Sequence, residues 1–287
     1  MWIGQPLSPE TIASLRRNAL EGLFGRRRGV LIGVVHLQPL PGSPRYDGEP
    51  VSRIYEQALT DAAAYAGAGF HGLIVENHGD VPFLKPDALG PETAAVMAIA
   101  AERVRVETGR PVGINVLANA ALHALAIARA AGSAFIRINQ WANAYVANEG
   151  LIEGPAAAAL RYRHSLAADD VRIFADSHVK HGSHAITADR SVAELTRDLE
   201  WSLADVVIAT GQRTGDAASE DEIDAIRSAT TLPLLVGSGV TPANLPAVLD
   251  RVDGVIVASA LKVDGAWWNA VDPERARSFA RIAAAVG

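Results

Sequence analysis

Eight times along this chain a short apolar run gives way to a helix-length segment, and the end of every run brings small or polar residues. The runs cover residues 30–35, 72–75, 112–114, 134–138, 171–175, 206–209, 232–236 and 254–257. They are continuous rather than alternating, as parallel strands covered on both faces should be. Between and after them, residues 55–66, 92–107, 120–131, 155–166, 192–203, 220–228, 245–249 and 273–286 read as helices. Eight strand–helix pairs over about 250 residues predict an α/β fold, a (β/α)8 TIM barrel. A doubly wound sheet fits less well, because no Gly-rich dinucleotide turn follows the first run. Ahead of the barrel, Ser8-Pro9-Glu10 carries a cap residue, a first-turn proline and a carboxylate that suits the helix dipole. A short N-terminal helix to about Leu23 is expected there. The expected organisation is a helical extension over 1–29 and the barrel over 30–287, with no second domain.

In such a barrel the strand ends open onto one face, where active sites of this fold lie. The polar residues here follow the strands: His36, Glu76, Asn77, Asn115, Asn139, Asp176, His178, Thr210, Ser238 and Ser259. The fifth run shows this most sharply. Phe174-Ala175 turns abruptly into Asp176, His178, Lys180 and His181, which are costly to bury unless paired with one another or with a ligand. Asp176 and His178 lie two apart, so on extended backbone they face one side and read as an acid/base unit. With His181, and with Glu76 or His36, they would also suit a divalent metal. That spacing matches no compact metal motif, so no cofactor is expected and the metal is the alternative. Lys180 is read as a Schiff-base amine if buried, or as a charge beside a phosphate. A purely stabilising network of Asp176, Arg137 and His178 is the non-functional reading.

Glu76 comes directly after the second strand and is the expected general acid/base. His78 and Asp80 beyond it read as readily as loop residues that bond their own backbone. Gly237-Ser238-Gly239 and Ala258-Ser259-Ala260 follow the seventh and eighth strands, where barrels often hold phosphate, and Lys262 is expected to add a charge. Substrate contacts are expected from Asn77, Asn115, Arg137, Asn139, His181, Thr210 and Gly211. An inward Arg137 needs a partner, either Asp176 or a substrate anion. The loop 140–154, with Trp141, Asn143, Tyr145 and Asn148, reads as a lid whose aromatic residues either stack on a ring or anchor the loop. Thr210-Gly211-Gln212-Arg213-Thr214-Gly215 is a weaker candidate for binding a sugar or phosphate oxygen.

Composition narrows the partners. A net charge of −6 argues against a broad nucleic-acid face, and Arg26-Arg27-Arg28 reads as solvated surface. With 0 cysteines, disulfides, thiol catalysis and cysteine metal sites are excluded. No apolar run approaches the ~20 residues that span a bilayer, and Met1-Trp2-Ile3-Gly4-Gln5-Pro6 lacks the charged and apolar regions of a signal peptide. The expectation is a cytoplasmic homo-oligomer that takes a phosphorylated small-molecule substrate.

Several stretches together resemble the BtpA family, which takes in SgcQ-like proteins. They are Gly33-Val34-Val35-His36-Leu37-Gln38-Pro39-Leu40-Pro41-Gly42-Ser43-Pro44, Glu76-Asn77-His78-Gly79-Asp80-Val81-Pro82-Phe83 and Gly113-Ile114-Asn115-Val116-Leu117-Ala118-Asn119. Phe135-Ile136-Arg137-Ile138-Asn139, Ala175-Asp176-Ser177-His178-Val179-Lys180-His181 and Gly237-Ser238-Gly239-Val240-Thr241 complete the set. The chain departs from the pattern at His78, where an aromatic residue is usual, and at Ala118, where a longer side chain is common. The resemblance implies a (β/α)8 barrel and two different roles. One is photosystem I assembly or stability, as a membrane-associated accessory protein. The other is a sugar-phosphate pathway enzyme of nucleosidase type. The reading favoured here is an enzyme acting on a phosphorylated sugar or nucleoside-like substrate by acid/base chemistry. Nucleosidase-like hydrolysis is preferred over isomerase or aldolase chemistry, with a non-catalytic photosystem I assembly factor as the alternative.

Overall fold

A computed structural model of the chain describes Glu10, Ser14, Arg16 and residues 18–211 and 218–286. After helix α1 (Ala19–Phe24) come β1 (Val30–His36), α2 (Ser52–Gly67), β2 (Gly72–Glu76), α3 (Pro91–Thr108), β3 (Val112–Asn115), α4 (Ala121–Ala131) and β4 (Phe135–Ile138). The chain continues through β5 (Ala144–Ala147), β6 (Gly150–Glu153), α5 (Ala156–Ser165), β7 (Arg172–Asp176), α6 (Val192–Trp201) and β8 (Val206–Ala209). It ends with α7 (Glu220–Ala229), β9 (Leu234–Val236), α8 (Leu245–Arg251), β10 (Gly254–Val257) and α9 (Pro273–Ala284). Strands β1, β2, β3, β4, β7, β8, β9 and β10 close into a parallel barrel, the predicted fold. The Ser8-Pro9 start of the predicted N-terminal helix lies outside the described residues, and its end is α1.

Side chains alternate inward and outward along each barrel strand, so two separate cores form. Val30, Ile32 and Val34 of β1 point inward and meet Ile74, Phe135, Phe174, Ile208, Leu235 and Ile256. Leu31 and Val35 point outward and join the larger core beneath the helices. Ala19, Leu20 and Phe24 of α1 pack on the inner cluster from the end where the strands begin, with the Phe24 ring edge-on to Phe135 at 6.0 Å. One end of the barrel is thereby plugged with apolar groups. The alternation carries on to the other end, where the next inward positions are His36 on β1, Glu76 on β2, Asn115 on β3 and Asp176 on β7. Parallel register sets His36 beside Glu76 and Glu76 beside Asn115.

The 140–154 segment corrects the expectation of a loop, because β5 and β6 pair antiparallel as a hairpin within it. Its aromatic residues anchor it. Trp141 is fully buried and donates its indole N–H to the Ser202 carbonyl at 2.9 Å. Asn143 donates to Asp198 at 2.8 Å. Val146 and Ser183 exchange backbone hydrogen bonds of 3.0 and 2.8 Å, which tie the hairpin to the loop after β7.

Candidate functional site at the barrel mouth

Glu76 sits at the centre of the mouth. Its Oε2 accepts from Asn115 Nδ2 at 2.7 Å, and its Oε1 lies 2.9 Å from His78 Nδ1 and 3.7 Å from His36 Nε2. Burial pushes this carboxyl up, but the hydrogen bond from His78 and positive surroundings that include Arg137 outweigh burial and hold it below the usual carboxylate range. Glu76 is therefore an acceptor, and His78 Nδ1 carries the proton between them. His36 Nδ1 faces the Trp267 carbonyl at 3.0 Å. A carbonyl can only accept, so that nitrogen carries the hydrogen and Nε2 keeps its lone pair. Burial, reinforced by His78 and Lys262 and opposed by Glu76, lowers His36 to about 3, so its ring is neutral. The two imidazoles stack at 4.4 Å, and the Trp267 ring stands edge-on to His78 at 4.5 Å.

A second group is built on β4 and β7. Arg137 donates Nε and Nη2 to the two oxygens of Asp176, both at 3.1 Å, and Asn139 Nδ2 adds a third donor at 3.0 Å. Burial works against the charge of Arg137, but Asp176 and Glu76 more than compensate, so its affinity for the proton rises. Three donors on one buried carboxylate leave Asp176 as the clamp that aims Arg137.

The third group is the loops after β9 and β10. Gly237, Ser238, Gly239, Thr241 and Ser259 curve round a cavity of about 260 Å³ whose walls also include His36, Glu76, His78, Arg137 and Lys180. Glycine is required at two of these points. A Cβ on Gly237 would lie 2.7 Å from Ile208 Cγ2 and 3.3 Å from Arg137 Nη2, and Gly239 has φ +67°. Lys180, from the loop after β7, donates to Ser238 Oγ at 3.3 Å. Burial and the nearby Arg137, only partly offset by Glu76 and Asp176, lower its amine to about 8.

The mouth thus assembles His36, Glu76, Asn115, Arg137, Asn139, Asp176, Lys180, Gly237, Ser238, Gly239 and Ser259. Other expected positions lie elsewhere. His178 is turned to α7, with Nδ1 3.6 Å from Glu222 and its ring 4.0 Å from His184, so the expected Asp176–His178 unit does not form. β7 ends at Asp176, and the same-side rule for residues two apart ends with it. His181 is exposed at φ +65° and outside the cavity wall, so the proposed metal trio of Asp176, His178 and His181 is not brought together. Asn77 donates to Asp80 at 3.0 Å and accepts from the Leu117 N–H at 2.7 Å, which fastens the β2 loop to the β3 loop. Thr210 donates to the His178 carbonyl at 2.8 Å, and Gly211 beside it is buried outside the cavity wall. Lys262 corrects the phosphate expectation: it is 1% exposed, and its ammonium is 3.0 Å from Asp61 of α2. Residues 212–215 of the glycine-containing loop lie outside the described residues.

Sequence reasoning undervalued His78 and passed over Trp267. His78 stood two residues from Glu76, and that spacing was the available signal. Trp267 comes from the loop before α9 and gives no local sign of its meeting with His36.

A model of the BtpA family matches residues 27–285. An uncharacterized protein of Pyrococcus furiosus is 40% identical over 252 residues, covering 88% of this chain and 94% of that one. A Synechocystis protein named photosystem I biogenesis protein BtpA is 40% identical over 250 residues, 87% of this chain and 86% of its own. Among solved structures, tryptophan synthase subunit alpha from Legionella pneumophila superposes with a TM-score of 0.57 at 15% identity, over 96% of this chain and 98% of that one. That likeness is one of fold. The family match and the two relatives together cover the whole barrel and every group at its mouth, and the chain belongs to the BtpA family.

Proposed function

We propose that the protein is an enzyme acting on a phosphorylated sugar or nucleoside-like substrate by acid/base chemistry, with nucleosidase-like hydrolysis the favoured reaction. One observation carries this reading: a single cavity is lined by Arg137, Lys180 and the Gly237-Ser238-Gly239 turn together with Glu76 and two imidazoles. The first set suits a phosphate, and the second suits proton transfer at a sugar carbon of the same ligand. In hydrolysis, water adds to that carbon and gives its proton to ionised Glu76. The bond to the leaving group breaks, and the departing atom takes a proton from the Lys180 ammonium. Asp176 is the positioning residue for Arg137, so the reaction uses one free carboxylate rather than a pair.

Calorimetric titration and turnover assays with ribose 5-phosphate, ribose and nucleoside monophosphates test this. The phosphorylated ligands are expected to bind at least tenfold more tightly than ribose, and Ser238→Asp to remove that preference. Glu76→Gln should bind normally and lose about 10²–10⁴-fold in turnover. Equal affinity for ribose and ribose 5-phosphate would sink the reading.

The name of the Synechocystis relative supports a second reading, an assembly factor that binds a protein partner without turnover. Trp201 and Trp268, 88% and 69% exposed, are the surface features that favour it. It predicts that Trp201→Ala and Trp268→Ala abolish partner binding while Glu76→Gln does not.

A further inference from the structure

We propose that His36, Glu76 and His78 bind one divalent transition-metal cation of the zinc class, with its open coordination positions turned to the cavity. One ligand atom from each of the three residues falls within 4.8 Å of the others. Glu76 Oε1 is 2.9 Å from His78 Nδ1 and 3.7 Å from His36 Nε2. Two ligands about 2.05 Å from one tetrahedral or octahedral ion stand roughly 2.9–3.4 Å apart, so the Glu76–His78 pair already has that spacing and the Glu76–His36 pair is a few tenths of an ångström wide of it.

The surroundings are those of a metal site. A ligating histidine commonly gives its other N–H to a carbonyl, which fixes the ring and the tautomer. His36 does so to Trp267, and this leaves its Nε2 lone pair towards Glu76. The second Glu76 oxygen is held by Asn115, a residue 1% exposed whose Oδ1 has no hydrogen-bond partner among the described residues. Two imidazoles and one carboxylate leave positions open on the ion, and imidazole ligands select zinc, cobalt, iron or nickel over magnesium or calcium. The three residues also line the cavity that holds Arg137, Lys180 and Ser238, so an oxygen of a ligand anchored there meets the ion. The ion would polarise that oxygen as a Lewis acid. The inference stands on the geometry of the three ligands and does not require the substrate reading. A bound cation would take the place of the proton that His78 Nδ1 shares with Glu76, and would engage the Glu76 oxygen that the hydrolysis reading uses as a base.

The test uses the full chain stripped with a chelator and titrated with Co²⁺, read by d–d absorption, with Zn²⁺ as competitor. Saturation at one equivalent is expected, with Zn²⁺ displacing Co²⁺ and Mg²⁺ failing to do so. His36→Gln and His78→Gln should each weaken binding at least 100-fold, and Asn115→Ala about 10–100-fold through the outer contact. Asp169→Asn, at an exposed ion pair with His164, should bind Co²⁺ as the unsubstituted chain does. Circular dichroism melts accompany each variant, and Asn115→Ala carries the test where a histidine variant does not fold. A Co²⁺ signal that does not saturate, or undiminished binding in both His78→Gln and Asn115→Ala, overturns the inference. The ribose 5-phosphate titration separates the two proposals: Co²⁺ binding without sugar-phosphate binding leaves this site standing alone, and the converse removes it.

Discussion

Lys180 and Lys262 bring the same side chain into two different surroundings. Lys180 has its amine lowered from 10.5 to about 8 by burial and by Arg137. Between about 8 and 10.5 the folded chain holds fewer protons than the unfolded one at this position, so its contribution to stability rises with pH over that window. Below about 8 the amine is charged at the expense of stability, and a bound phosphate repays that. Affinity for inorganic phosphate is therefore expected to fall as pH rises through about 8, and Lys180→Met to flatten that profile; calorimetry across pH 6.5–9.5 measures it. Lys262 instead meets Asp61, which also accepts the Val271 N–H at 2.8 Å. Lys262→Met leaves a buried carboxylate without its cation, and a loss of about 3–5 kcal/mol is expected in denaturant melts, with phosphate affinity unchanged. A drop in phosphate affinity in a folded Lys262→Met would return this lysine to the cradle. Both lysines looked alike in the sequence, because charge near a strand end does not say which side of the barrel wall it reaches.

At the scale of elements, what could be read in advance followed from periodicity and what could not followed from its end. Eight apolar runs and eight helical segments located the strands and helices, because parallel strands must be apolar throughout and barrel helices need one apolar face. The same alternation carried His36, Glu76, Asn115 and Asp176 to the inner surface one step past the last apolar residue. His178 escaped the argument because β7 stops at Asp176. The hairpin of β5 and β6 escaped it because its two strands pair with each other between β4 and α5, outside the strand–helix alternation of the barrel. Its anchor can be tested directly. Trp141→Ala removes a fully buried indole and its bond to Ser202, and a loss of about 3–5 kcal/mol is expected in thermal or urea melts. The hairpin is bonded to the loop that carries Lys180, so the same variant should expose the 177–184 segment to protease first.

Across the whole molecule the two ends of the barrel divide the work. One end is filled by α1 and apolar side chains, and the other gathers charged and hydrogen-bonding groups from several strands round one cavity. Among the described residues no helix is long and apolar enough to cross a membrane. Family membership and fold were legible from the residues, since both rest on features repeated along the chain. The sharing of roles at the mouth was not, because Asp176 clamping Arg137 and Trp267 orienting His36 depend on contacts between distant segments. The glycine turn and Glu76 line one cavity, and one phosphorylated ligand is proposed to meet both. Titration of ribose 5-phosphate against ribose, on the unsubstituted chain and on Ser238→Asp, tests it most directly. At least a tenfold preference for the phosphorylated sugar is expected, disappearing in Ser238→Asp. Indifference to the phosphate in the unsubstituted chain would contradict it.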